Sequence, residues 1–213
     1  MSIDHRILGI DLGTYNSAAV VWDPSQGLIP ISCSPDRRVW AATGESIKPF
    51  PSVVVYQPDG TPRAAGYEAK ALAEAHSEWA VWGIKRILGK TYKEALDHGE
   101  LDRLAIPIEP NESNGRCMFI FEQTDVEPED VCATLLRHIR TTAEEEIAGE
   151  LPHVVISVPA YFDAIAVGAT VDAARRAGFE TVHTIPEPVA AAIACDREVT
   201  PRPLNIQVFD IGG

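Results

Sequence analysis

Four charged side chains in this 213-residue sequence stand where they can act on a phosphate group. The first, Asp11, ends an apolar run and precedes a turn made by Gly13 and Thr14. Gly13 lets the backbone fold back, so amide N–H groups and the Thr14 hydroxyl can point at one anion. A carboxylate repels phosphate unless a cation lies between them, so Asp11 is suited to hold Mg²⁺, directly or through its waters. A hairpin with a purely structural polar turn is the alternative.

Two further acids follow later strands. Glu187 comes after the strand TVHTI, and Asp210 ends the strand NIQVFD. The carboxyl ends of strands share one rim in an open α/β sheet, so these acids are expected to converge with Asp11. Pro188 suits the first helical position and puts Glu187 at about the N-cap. A carboxylate there can orient or deprotonate an attacking water, although Glu187 as a simple helix cap remains the alternative.

The end of the chain repeats the acid-then-glycine pattern of the first turn, with Asp210 followed by Gly212 and Gly213. Two such turns facing each other would hold a phosphate chain from both sides. The fourth charged residue, Lys85, lies in the segment between the hairpin and the later strands. If that segment folds over the same rim, its ammonium group would neutralise charge on a γ-phosphate. A solvated helix lysine is the alternative.

Composition narrows the possible functions. The formal net charge of −13 argues against sequence-independent binding to nucleic acid or to anionic membranes, which require a positive face. The four cysteines are widely spaced and form no CxxC pair, so we expect reduced thiols and no zinc site. No apolar run reaches membrane-spanning length. These features predict a protein of the cytoplasm or of another reducing compartment.

The elements that must position these residues follow from the apolar pattern. Hairpin strands run from Ile7 to Trp22, and a third short strand follows. Next comes an inserted segment, 37–123, in which residues 78–88 are expected to form a short helix ending at Gly89. A long helix with Pro128 in its first turn then alternates with strands, and Asp163 is placed to cap the next helix. This order predicts an α/β, three-layer fold with a mixed five-stranded sheet.

Six motifs together resemble the seventy-kilodalton heat-shock chaperone family. In chain order they are GIDLGTYNS, IKRILG, VISVPAYF, ARRAGF, IPEPVAAAIA and VFDIGG, and they span residues 7–213. The VPAYF and EPxAAA blocks distinguish this family from actins and sugar kinases, which share the general fold. The resemblance covers essentially the whole chain.

This resemblance implies the actin-like ATPase fold, with the chain forming the first lobe of the N-terminal ATPase domain. Residues 1–36 and 124–213 would form a ribonuclease-H-like core, and residues 37–123 an inserted α+β second subdomain. The second lobe and the peptide-binding domain would be absent, which makes the chain a truncated lobe. Such a lobe would be nearly inactive alone, and its exposed apolar surface would favour self-association.

The resemblance also implies roles for individual residues. Asp11 and Asp210 would hold Mg²⁺ mainly through water, Lys85 would be the catalytic lysine, and Glu187 would align the attacking water. The contacts to ATP or ADP would come from the two turns: Gly13, Thr14, Tyr15, Asn16, Gly212 and Gly213.

The implied activity is Mg²⁺-dependent hydrolysis of ATP to ADP and phosphate, coupled to protein folding in a full-length parent. The partners would be unfolded client peptides, J-domain co-chaperones and nucleotide exchange factors, as expected of a stress-response chaperone. Neither nucleic acid nor membrane is an expected partner.

Four positions depart from the family pattern. Tyr15 replaces a threonine. Its backbone amide can still donate to phosphate, but the contact from a small hydroxyl is lost. Pro186 replaces an asparagine, and Ala164 and Val167 stand where an aspartate and an arginine are usual. These changes leave two alternatives open, a nucleotide-sensing or scaffold relative that does not hydrolyse ATP, and a kinase on the same fold.

Overall fold

A computed structural model describes residues 6–33, 48–196 and 207–208 of the chain. Its largest sheet contains six strands within these residues. They are β1 (Ile7–Asp11), β2 (Asn16–Asp23), β3 (Gly27–Ile31), β4 (Phe50–Pro51), β10 (His153–Val158) and β11 (Thr181–Pro186). The spatial order is β11-β10-β1-β2-β3, and β4 pairs with β2. Because β1 is parallel to β10 and antiparallel to β2, the sheet is mixed.

Alternating burial explains how the hairpin attaches to the core. In β2 every second side chain is buried, including Ser17, Ala19 and Val21. In β1 the buried residues are Leu8 and Ile10, which lie at less than 4% exposure. One face of the hairpin is therefore held against the core, and the turn between β1 and β2 is left at the sheet edge.

Two helices cover the buried face of this sheet. The longer, α3 (Pro128–Ile147), begins at Pro128 and packs against β2, β3 and α4 (Ala164–Arg176). The sequence predicts the end of α3 near Gly149, and the structure places its C-cap at Ala148, in the left-handed region with φ of 51°. Asp163 caps α4 as predicted, because its Oδ1 atom accepts hydrogen bonds from the amides of residues 165 and 166.

The segment between β4 and α3 forms smaller sheets and short helices. One sheet has the order β6-β5-β7 and another pairs β8 with β9. Its elements are β5 (Val53–Tyr56), β6 (Pro62–Ala65), α1 (Gly66–Ala73), β7 (Ala80–Trp82), α2 (Tyr92–Asp97), β8 (Ile108–Pro110) and β9 (Cys117–Phe119). Short 3₁₀ turns cover Ser77–Trp79, Ile84–Arg86 and Leu101–Arg103.

The predicted helix over residues 78–88 is wrong. Residues 80–82 form β7, which pairs antiparallel with β5, and Gly83 then adopts a left-handed conformation with φ of 65°. Pairing with a buried strand overrides the helical tendency of this stretch, since β-branched and aromatic residues fit a half-buried sheet. Lys85 consequently lies on a 3₁₀ turn instead of a helix.

The predicted α/β class with a mixed sheet is confirmed, and the described part of the sheet has six strands where five were expected. Strand β4 was not predicted from the sequence. Of the predicted last strand, only Gln207 and Val208 fall within the described residues, and neither is in a strand. Within these same ranges, none of the helices combines the length and the apolar character needed to cross a membrane.

Candidate nucleotide site

The carboxyl ends of β1 and β10 border a crevice of about 880 Å³, together with the start of α5 (Glu187–Asp196). Seven residues singled out from the sequence line this crevice: Asp11, Gly13, Thr14, Tyr15, Asn16, Lys85 and Glu187. Val208 lines it as well. Asp210, Gly212 and Gly213 lie outside the described residues.

Asp11 is held at the rim by a serine from the neighbouring strand. β1 and β10 are parallel, and their register sets Asp11 beside Ser157. The Ser157 hydroxyl donates a hydrogen bond of 2.7 Å to Asp11 Oδ1. This contact fixes the orientation of an exposed carboxylate at the mouth of the crevice. Sequence reasoning missed Ser157, since only the strand pairing brings it to Asp11.

The turn after β1 requires glycine at position 13. A Cβ atom built on Gly13 would lie 1.9 Å from the Asn16 carbonyl oxygen, so any side chain would push the turn open. Ser52 secures the turn from outside. Its hydroxyl donates to the Gly13 carbonyl at 2.8 Å, and its amide donates to the Tyr15 carbonyl at 2.8 Å. The carbonyls of Gly13 and Tyr15 are thereby both bonded to Ser52.

Ser17 completes this support. Because the Ser52 proton goes to Gly13, the Ser17 hydroxyl is the donor in the 2.9 Å contact between the two serine oxygens. Both serines are buried at 2% exposure or less. Ser52 was also missed from the sequence, because its one local signal is a serine between a proline and three valines in FPSVVV.

Lys85 and Glu187 meet directly, although 102 residues separate them. The Lys85 Nζ atom donates to Glu187 Oε1 at 2.5 Å, and the two side chains are 10% and 19% exposed. Glu187 is the first residue of α5, so the helix begins one residue earlier than the sequence predicts. The 3₁₀ turn at Ile84–Arg86 therefore brings a cation to the same rim that carries Asp11.

Three more charged residues that the sequence analysis did not select line the crevice. Arg86 Nη1 lies 3.6 Å from Glu100 Oε2, and Lys90 Nζ lies 3.9 Å from Glu100 Oε1. All three side chains belong to the crevice wall that carries Lys85. The cluster of cations in IKRILGK was the signal that could have identified Arg86 and Lys90 from the sequence.

The oxygen donors at the rim fit Mg²⁺. Across residues 6–33, 48–196 and 207–208, no three histidine, cysteine, aspartate or glutamate side chains gather into a metal cluster. Mg²⁺, unlike zinc, does not require such a cluster, because it keeps several waters and binds through one or two carboxylates plus phosphate oxygens. Asp11, oriented by Ser157 beside a turn of amides, supplies a donor set of that kind.

Comparison with known proteins agrees with the sequence motifs. The family model described as Hsp70 protein matches residues 7–213. The chaperone protein HscA homolog of Vibrio campbellii (strain ATCC BAA-1116) is 35% identical over 212 residues, which is 99% of this chain. The match covers 31% of that relative, so the chain spans about a third of its length.

Proposed function

Because this chain belongs to the Hsp70 family, whose ATPase domain is actin-like, we propose that it is the first lobe of a chaperone ATPase domain. Residues 1–36 and 124–213 would be the ribonuclease-H-like core, and 37–123 the second subdomain. The observation that carries the proposal is the crevice itself. Asp11, the glycine turn and the Lys85–Glu187 pair come from separate parts of the chain and line one cavity.

The rim near β1 is suited to the phosphates of ATP or ADP. Asp11, oriented by Ser157, would hold Mg²⁺ mainly through water, with Asp210 as the second acid. When bound, Mg²⁺ would neutralise phosphate charge and fix the geometry of the phosphate chain. Gly13 keeps the backbone of the turn free for close approach, so amides from Gly13 to Asn16 can donate to phosphate oxygens. Gly212 and Gly213 would provide the opposing turn.

Lys85 and Glu187 would serve the transfer step. The Lys85 ammonium stands where it can offset charge that develops on the γ-phosphate, and Glu187 can accept a hydrogen bond from an attacking water. Their 2.5 Å contact holds the two side chains in one place before nucleotide arrives. Lys85 would therefore exchange part of its contact with Glu187 for the phosphate.

In a full-length parent, ATP hydrolysis would be coupled to protein folding. The partners would be client peptides, J-domain co-chaperones and nucleotide exchange factors, and the setting would be the stress response. The free thiols of Cys33, Cys117 and Cys132 support a cytoplasmic location.

The test uses Glu187→Gln and Lys85→Ala. We expect each to reduce single-turnover ATP hydrolysis by the full-length parent about 100-fold, because each removes a group that acts on the transferring phosphate. Calorimetric binding of MgADP should change by no more than roughly threefold, since most affinity lies in other contacts. Matched controls are Glu180→Gln and Lys93→Ala, which alter exposed residues outside the crevice. Unchanged turnover in both test variants would refute these roles.

A second candidate is a nucleotide sensor that binds ATP without turning it over. The observation that favours it is Tyr15, whose ring is 42% exposed and lines the crevice where the family has a small hydroxyl. Ala164 and Val167, at the start of α4, also lack the charged groups usual there. Calorimetric ATP binding without phosphate release from the parent would establish this candidate, whereas phosphoryl transfer to a hydroxyl substrate would indicate a kinase.

A further inference from the structure

The Tyr15 ring lies against the guanidinium group of Arg86 in the crevice wall. The Arg86 Cζ atom is 5.7 Å from the centroid of the ring, within the range of a cation–π contact. Both side chains line the crevice. The contact thus joins the turn after β1 to the 3₁₀ turn that carries Lys85.

Arg86 keeps hydrogen-bond donors for a further partner. Its 3.6 Å approach to Glu100 Oε2 is longer than a hydrogen bond, and that oxygen is buried with no hydrogen-bond partner among the described residues. A guanidinium group has five N–H donors. Arg86 is also 30% exposed, so a ligand in the crevice can reach it.

The charge of this wall favours an anion. Lys85, Arg86 and Lys90 lie within one short stretch and all line the crevice, in a chain whose formal net charge is −13. Glu100 is the one carboxylate of this wall among the described residues, so the wall keeps an excess of positive charge that attracts negative ligands. Lys85 is engaged by Glu187.

The aromatic ring of Tyr15 can serve such an anion through a cation. The face of an aromatic ring carries partial negative charge, so it repels phosphate and attracts a guanidinium group. Arginine in turn binds phosphate oxygens through two parallel hydrogen bonds. We propose that Tyr15 is a positioning residue that holds Arg86 in the crevice, where Arg86 binds the phosphate chain of a nucleoside di- or triphosphate. This inference rests on the proposed function.

The test is calorimetric titration of the 213-residue chain with magnesium tripolyphosphate, which carries the phosphates without adenosine. Arg86→Gln should weaken binding about tenfold, because it removes a charge-assisted pair of hydrogen bonds. Tyr15→Thr should weaken it roughly threefold, and should have no further effect in the Arg86→Gln background. Tyr15→Phe should rescue affinity because the ring remains. Lys93→Gln removes an equal charge outside the crevice and serves as the control.

A second readout follows the contact itself. The side-chain proton resonances of Arg86 should carry a ring-current shift that disappears in Tyr15→Thr and persists in Tyr15→Phe. If Arg86→Gln is unfolded by circular dichroism, Arg86→Lys keeps the charge, loses the paired hydrogen bonds and should still weaken binding.

The outcomes separate this inference from the function on which it rests. If the unmodified chain binds tripolyphosphate and Tyr15→Thr binds equally well, or if the two substitutions act independently, the positioning role is overturned and the proposed function stands. If the unmodified chain binds neither tripolyphosphate nor MgADP, the proposed function fails and this inference fails with it.

Discussion

Gly13 shows how a single residue sets the geometry of the site. Its missing side chain lets the turn after β1 close, and the Asn16 carbonyl occupies the place where a Cβ atom would stand. A phosphate-binding turn requires this closure, because it brings successive amides to one side. The same residue therefore matters for folding and for ligand binding.

Gly13→Ala is predicted to destabilise the protein. The added methyl group would lie 1.9 Å from the Asn16 oxygen, so the turn must shift, and such overpacking costs about 1–3 kcal/mol. Gly168→Ala is the control, because nothing lies within 4 Å of its Cβ position and it stands in α4, where alanine is favoured. Urea unfolding should show a loss for the first variant and none for the second. Equal stability of Gly13→Ala and the unmodified chain would contradict this reading.

The Lys85–Glu187 pair gives a second prediction at this scale. Lys85→Ala should lower the free energy of unfolding by about 1–3 kcal/mol, because it leaves Glu187 partly buried without its partner. Adding Glu187→Gln should restore part of this loss, so the two changes should not be additive. A double-mutant cycle by urea unfolding measures the coupling. Strict additivity would mean that the ion pair makes no contribution to stability.

At the level of single residues, those whose type forms part of a motif were predictable from the sequence. Asp11, Lys85 and Glu187 could be selected because acids, glycines and a lysine recur in a family pattern. Ser52 and Ser157 could not, because each acquires its partner only when distant segments pair. The contact of Arg86 with Tyr15 arises in the same way, although the cations of IKRILGK are visible in the sequence. Such contacts have no local signature in the chain.

Among the elements, the 3₁₀ turn at Ile84–Arg86 packs against α3, and the residues that follow it lie close against α4. Gly89 follows this turn with φ of 77°, and a Cβ atom built on it would lie 2.7 Å from Ala166 Cα. The segment that leads out of the turn carrying Lys85 is therefore packed on the first turn of α4. Helix α4 itself is held in place by the Asp163 cap.

Gly89→Ala should weaken the packing of this segment on α4 and so free Lys85 from its contact with Glu187. The added methyl group would push this segment away from α4, so the contact between Lys85 and Glu187 should weaken. The Lys85 side chain, which is now 10% exposed, should become more accessible. Acylation of Lys85, followed by mass spectrometry, should be faster in this variant. Gly115→Ala has a similar positive φ and no atom within 4 Å of its Cβ position, so it controls for backbone strain alone. Equal labelling rates in the two variants would contradict a role for this packing on α4 in holding Lys85.

Elements with a strong local signal were predictable from the sequence, and those decided by pairing were not. The apolar stripe and Pro128 identified α3, and Asp163 identified the start of α4. The stretch 78–88 has apolar residues at mixed spacing, so only its pairing with β5 decides between helix and strand. Strand β4 is too short for any pattern to reveal it.

On the scale of the whole molecule, His138 connects three parts of the core. It lies on α3, its ring meets Phe50 of β4 edge to face, and it leaves no room for a side chain at Gly66. Burial lowers the pKa of His138 below its ordinary value of 6.5, although Glu68 and Glu145 raise it in part. The histidine is thus stabilised in its neutral form.

Acid should therefore weaken the fold through His138. The unfolded chain takes up this proton near pH 6.5 and the folded protein only at lower pH, so the stability that the neutral ring contributes is lost as pH falls below 6.5. In His138→Gln, the decrease in unfolding free energy between pH 7 and pH 5 should be smaller. The exposed His183→Gln is the matched control. An unchanged pH dependence in His138→Gln would refute the assignment.

The central claim is that Asp11, Lys85 and Glu187 surround one magnesium-bound nucleotide phosphate. The most direct measurement is an amide NMR titration of this chain with MgADP. The shifts should concentrate at Gly13–Asn16, at Lys85 and Arg86, and at Ser157, and they should diminish when EDTA removes Mg²⁺ or when Asp11 is replaced in Asp11→Asn. Shifts confined to another face of the molecule, or equal shifts with and without Mg²⁺, would contradict the account.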